Sequence, residues 1–192
     1  MALWALLGLN VALIAWVAVI APRLEDNARL ALGQGDYRLE ATDGTAFTEA
    51  SLRGGPTAVF FGFTHCPDVC PTTLGDISAW QEDIGGSDAL DVYFITVDPD
   101  RDTVGILTEY VGWVPGVAGV SGDQSEVNKA LESFGIFAQK VPTGGGDYTM
   151  DHSASVLLFD DSGQFFETIR YQEDHDVAVT KLRVLMGLPA PS

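Results

Sequence analysis

Residues 57–71 read Thr57-Ala58-Val59-Phe60-Phe61-Gly62-Phe63-Thr64-His65-Cys66-Pro67-Asp68-Val69-Cys70-Pro71, and their reading decides the fold. The first seven form an unbroken run of apolar, β-branched and aromatic residues. Such a run marks a strand buried on both faces, in the middle of an α/β sheet. Pro71 suits the first position of a helix, where its missing N–H costs nothing. Cys70 is then the expected N-cap of a helix running to about Asp83. The cysteine pair falls just after a central strand, at a helix N-terminus, where such folds place chemistry.

Outward from this stretch, Asp91 to Val97 reads as a second buried strand ending in Asp98-Pro99. Asp102 or Thr103 can cap a helix to about Trp113. Asp123-Gln124-Ser125-Glu126 resembles a capping box and starts a helix that stops at Gly135. Ser153 to Phe159 is a third strand, turned by Asp160-Asp161-Ser162-Gly163 into Gln164 to Arg170. A last helix runs from Asp174 to Met186, closed by Gly187 and Pro189. Upstream, Tyr37 to Ala41 reads as a short strand, Asp43-Gly44 as a hairpin turn and Gly54-Gly55-Pro56 as another turn. The order is strand, helix, strand, helix, helix, hairpin, helix. It implies a central sheet flanked by helices.

The chain has 10 basic and 27 acidic residues, for a net charge of −17. That surface repels nucleic acid and suits a cation or a basic protein partner. Its plainer reading is solvation alone. The two cysteines, Cys66 and Cys70, allow no disulfide framework beyond one pair. Closing so short a loop removes little entropy from the unfolded chain, so the pair reads as redox-active or metal-binding.

Ala2 to Ala21 carries no charge and, apart from Asn10, no strongly polar residue. At 1.5 Å per residue it spans roughly 30 Å, the thickness of a bilayer core. Pro22 and Arg23 end it, and Trp4 and Trp16 suit the interfaces. A cleaved signal peptide is the competing reading. It lacks support because no basic residue precedes the run and no A-x-A site lies within it. The expected organisation is an anchor over 1–22, a polar tether over 23–35 and a folded domain over 36–192.

In the cysteine loop, Pro67 and Asp68 favour a turn that brings the two sulfurs to the mouth of the helix. Helix N-terminal N–H groups and the dipole are expected to lower thiol pKa values there. Thioredoxin-type oxidoreductases separate their cysteines by two residues. Three separate them here, which opens the pair to an ion. Two thiolates suit Cu(I), and a histidine would also admit Cu(II). His175 lies among acidic residues and reads as a surface residue. His65 adjoins Cys66 and is expected to point away from the sulfurs. His152 precedes the third strand; from spacing alone, a packed or capped histidine is its plainer reading.

Residues 64–74, Thr-His-Cys-Pro-Asp-Val-Cys-Pro-Thr-Thr-Leu, resemble the copper-binding loop of the Sco/SenC family. Val97-Asp98-Pro99-Asp100-Arg101-Asp102-Thr103 resembles that family's acidic loop, and Asp147-Tyr148 with Asp151-His152-Ser153 its histidine motif. The resemblance covers about 36–187 and implies a thioredoxin-like α/β fold. It implies one copper, Cu(I) or Cu(II), on Cys66, Cys70 and His152, with Asp98, Asp68, Tyr148 and Asp151 beside the ligands. It implies a metallochaperone, not an enzyme, acting on the dinuclear copper centre of cytochrome c oxidase. Its partners would be the copper-accepting oxidase subunit and a copper-donor protein. A single-pass protein of the bacterial inner membrane, with its domain in the periplasm, is the expected setting.

The alternative is a membrane-anchored thiol–disulfide oxidoreductase that uses Cys66 and Cys70 as a redox pair on the copper-ligand cysteines of the oxidase subunit. It needs no histidine. A peroxiredoxin is disfavoured because P-x-x-x-T-x-x-C fits neither cysteine, and a zinc hydrolase because H-E-x-x-H is absent.

Overall fold

A computed structural model describes residues 16–20, 23 and 28–189. Most of the expected membrane anchor lies outside those residues. Among the described residues no helix is long and apolar enough to cross a membrane.

The strands are β1 (Leu39–Ala41), β2 (Ala46–Phe47), β3 (Thr57–Gly62), β4 (Asp91–Thr96), β5 (Val117–Ser121), β6 (Ala138–Gly144), β7 (Asp147–His152), β8 (Val156–Phe159) and β9 (Phe165–Ile169). The helices are α1 (Val69–Ile84), α2 (Val104–Val111), α3 (Gln124–Ser133) and α4 (His175–Leu185). Seven strands form one sheet in the order β2-β1-β5-β4-β3-β8-β9. β3, β4 and β5 run parallel and the other pairings are antiparallel. β6 and β7 form a separate two-stranded sheet.

The apolar run becomes the central strand β3, buried at all six positions. Successive side chains point to opposite faces. Phe60 therefore packs edge-on against Phe94, which meets Tyr110 of α2, while Phe61 packs edge-on against Phe134 beyond α3. Strand, dithiol loop and helix follow one another as in the expected thioredoxin-like arrangement. Residues 28–35, read as a tether, lie against this body. The Gly33 N–H donates to Ser133 O at 2.9 Å, the Tyr37 hydroxyl donates to Gly33 O at 2.8 Å, and Gln34 Nε2 donates to Gly163 O at 3.1 Å.

The structure corrects several local expectations. Helix α1 begins at Val69 with Asp68 at its N-cap, so Cys70 lies inside the first turn. The third strand begins at Val156, and His152 ends β7 of the separate hairpin. The expected order lacked β5 and that hairpin altogether. The capping box does not form, because Asp123 makes no side-chain cap bond. Glu126 instead accepts from the Arg38 N–H at 2.8 Å and from Lys129 at 2.7 Å.

Candidate metal centre

The loop between β3 and α1 holds Cys66 and Cys70, both free thiols. Cys66 is partly exposed and Cys70 fully buried. The Cys70 N–H donates to Cys66 Sγ at 3.4 Å, so a first-turn amide of α1 serves the outer sulfur. Beneath the loop lies Asp102, itself fully buried. Its carboxylate accepts from the Thr64 N–H at 3.0 Å, the Thr64 hydroxyl at 2.6 Å and the Thr96 hydroxyl at 2.7 Å. Three hydrogen bonds offset the burial of this charge and fix the chain two residues before Cys66.

Gly62 ends the central strand directly below Cys70. A Cβ there would meet Phe94 Cε2 at 2.6 Å and Cys70 Sγ at 2.8 Å. The space that any other side chain would fill belongs to the sulfur.

His152 reaches the same place from β7. Its Nε2 lies 4.0 Å from Cys70 Sγ, and its ring meets Phe63 edge-on with centroids 5.7 Å apart. Nδ1 lies 2.8 Å from Ser153 O. A carbonyl only accepts, so Nδ1 carries the proton and Nε2 keeps its lone pair on the cysteine side. Burial holds the imidazole below its ordinary pKa, against the Ser153 bond and the Asp151 charge. The ring is therefore neutral at pH 7, as a metal ligand must be.

Cys70 departs from expectation. Burial outweighs every other influence and drives its thiol upward, with the Phe63 backbone bond opposing. A helix terminus cannot compensate for the loss of water around a sulfur this deep. The buried thiol ionises when a cation arrives, which couples ion uptake to proton release.

Among the described residues no group of three or more His, Cys, Asp or Glu side chains is gathered closely enough to hold a metal ion as it stands. The approach is near what an ion needs. With bonds of about 2.3 Å to sulfur and 2.0 Å to nitrogen, a trigonal centre separates the two atoms by about 3.7 Å. The observed 4.0 Å differs by a few tenths of an ångström. Two sulfurs and one imidazole form a soft donor set that fits copper.

The other expected site residues divide into two groups. Tyr148 and Asp98 are joined, the Tyr148 hydroxyl donating to Asp98 Oδ1 at 2.8 Å. Asp98 is fully buried, beyond the reach of a docking partner. Asp68 is exposed; its carboxylate caps no backbone N–H of the helix and accepts from the Thr72 hydroxyl at 3.4 Å. Asp151 is exposed on the face of β7 opposite His152. His65 is exposed and pairs with the Thr64 hydroxyl at 3.1 Å. His175 bonds Asp83 on the surface, at 2.7 Å. Of the two expected caps, Thr103 caps α2, its hydroxyl accepting from the Ile106 N–H at 3.4 Å, and the role of Asp102 beneath the loop is not visible in the sequence. Its spacing from Thr64 carries no periodic signal.

The sequence profile of SCO1/SenC matches residues 25–187. A mitochondrial SCO2 homolog of Danio rerio is 35% identical over 162 residues, covering 81% of this chain and 58% of its own length. The chain spans just over half the length of such mitochondrial relatives. The copper-bound structure of Bradyrhizobium japonicum ScoI is similar at a TM-score of 0.73 and 41% identity, covering 81% of this chain and 99% of that one. Copper-bound yeast Sco1 is similar at 0.74 and 32% identity, covering 84% and 92%.

Proposed function

Because the chain belongs to the SCO1/SenC family, we propose that it is a copper metallochaperone that helps assemble the dinuclear copper centre of cytochrome c oxidase. Cys66, Cys70 and His152 would hold one copper ion, Cu(I) or Cu(II). The observation that carries this reading is the His152 Nε2 lone pair, aimed at Cys70 from 4.0 Å by the Ser153 carbonyl. Copper is cargo here. It passes to the acceptor subunit by ligand exchange, with no bond made or broken in a substrate. The apolar run from Ala2 to Ala21 supports a membrane anchor, and the family resemblance supports placing the domain in the periplasm.

A second reading is favoured by the unequal burial of the cysteines. A partly exposed Cys66 over a buried Cys70 is the arrangement of an attacking and a resolving thiol. The same pair would then reduce the copper-ligand cysteines of the oxidase subunit. The two readings separate on His152.

The test is a Cu(I) titration of the reduced, full-length protein in detergent, under anaerobic conditions and against a competing chelator. One tightly bound copper per chain, clearly weakened by His152→Ala, supports the chaperone. Weak binding indifferent to His152 supports the thiol reductase.

A further inference from the structure

We propose that Arg101 is a positioning residue. Acting through Asp98 and Tyr148, it locks the register of the β6–β7 hairpin and so holds His152 beside Cys70. This rests on the copper-site reading above and adds to it a residue that bonds to Asp98 and Tyr148 rather than to the three ligands.

The hairpin needs such a device. A two-stranded sheet is marginal alone. β6 is exposed along six of its seven residues, and the connection is Gly144-Gly145-Gly146. An exposed, glycine-rich hairpin specifies its own register weakly.

Tyr148 supplies what the hairpin lacks, held at three points. Its ring lies under the Arg101 guanidinium at 3.8 Å, with the Lys140 ammonium at 4.7 Å. Its hydroxyl donates to Asp98 Oδ1 at 2.8 Å. Its carbonyl accepts from Arg101 Nη1 at 3.0 Å. Arg101 Nε in turn donates to Asp98 Oδ2, so one guanidinium binds both the buried carboxylate and the hairpin backbone. The planar fork makes this possible, and a lysine would meet only one of the two.

Along β7, Tyr148, Met150 and His152 share a face, and Met150 is buried between the other two. Four residues of strand place His152 about 13 Å from the Tyr148 anchor. A slip of one residue would turn His152 to the solvent face. The anchor at one end of the strand thus decides where the imidazole lands at the other.

The experiment compares wild type with Arg101→Gln and Tyr148→Phe, all full length. In metal-free protein, amides 138–152 should exchange faster in the variants than in wild type, while those of β3 and β4 do not change. The NMR contact between the Phe63 and His152 rings should weaken. Cu(II) affinity should fall roughly 10- to 100-fold, with loss of the histidine nitrogen signature in the EPR spectrum. Cu(I) affinity should fall in the same direction, by no more than His152→Ala costs. In a His152→Ala background Arg101→Gln should cost nothing further, and Arg101→Lys should restore only part of the loss.

Unchanged exchange and ring contact in folded Arg101→Gln would overturn the proposal. So would an equal loss of copper with and without His152. If wild type binds no copper, the site reading falls, and the exchange and ring-contact measurements still decide the role of Arg101. If Arg101→Gln does not fold, Tyr148→Phe, which keeps the ring and loses only the hydroxyl, decides it by the same readouts.

Discussion

His152 Nε2 lies 4.0 Å from Cys70 Sγ across a sequence separation of 82 residues. The imidazole is oriented by Ser153 and desolvated by its surroundings, which holds it below its ordinary pKa. Above the unfolded value near 6.5, both folded and unfolded chains carry a neutral ring and the residue adds no pH dependence. Below it the unfolded chain takes up the proton first, so stability falls with falling pH. Urea midpoints of wild type and His152→Gln should therefore converge, or cross, between pH 7.5 and pH 5.5. A difference constant across that range would contradict the assignment.

Unequal burial of the two thiols predicts unequal reactivity. Limited alkylation of the reduced protein, read by peptide mass spectrometry, should label Cys66 well before Cys70. Burial both blocks access to Cys70 and keeps it protonated. Equal labelling rates would mean that the loop opens in solution.

Gly62→Ala should act on the site and the core together. The new methyl would need space held by Phe94 and the Cys70 sulfur. Overpacking of this kind costs about 1–3 kcal/mol. Chemical denaturation should show that loss, and Cu(I) competition should show weaker binding in the same variant.

Asp102→Ala removes the acceptor for the Thr64 amide and for the Thr64 and Thr96 hydroxyls. Leaving such buried donors unpaired should cost on the order of 3 kcal/mol. Asp102→Asn keeps one carbonyl acceptor and should lose less. Equal denaturation midpoints for wild type and Asp102→Ala would show that the network contributes nothing to stability.

The parts legible in the sequence are those where burial imposes a pattern. Thr57–Gly62 is apolar at nearly every position because both faces of β3 are covered. The dithiol loop could be placed because Pro71 marks a helix start, although the helix begins two residues earlier, at Val69. β5 was not legible, because Val117-Ala118-Gly119 reads as a loop after Pro115-Gly116. Gly119 is there for clearance: a Cβ would meet Leu107 Cβ at 2.8 Å and Thr42 Cγ2 at 3.0 Å. β6 and β7 were hidden for the opposite reason. Their side chains face mostly solvent, and Pro142 with three glycines masks any alternation. His152 could be named as the third proposed ligand only by resemblance, since no local rule brings residue 152 to residue 70. The Asp98–Arg101–Tyr148 contact was illegible because it joins a loop to a strand.

The separate two-stranded sheet has a kinetic consequence for the proposed site. Cys66 and Cys70 belong to the loop and first turn that cap the central strand, so displacing them disturbs the core. His152 stands outside that ladder, and releasing the Arg101–Tyr148 anchor frees the hairpin that carries it without breaking any hydrogen bond of the seven-stranded sheet. The proposed coordination sphere thus has two fixed walls and one hinged one. In the proposed chaperone, an acceptor group arriving from solvent would take the position the imidazole vacates. The off-rate of that cargo would then follow a local opening, which costs less than global unfolding.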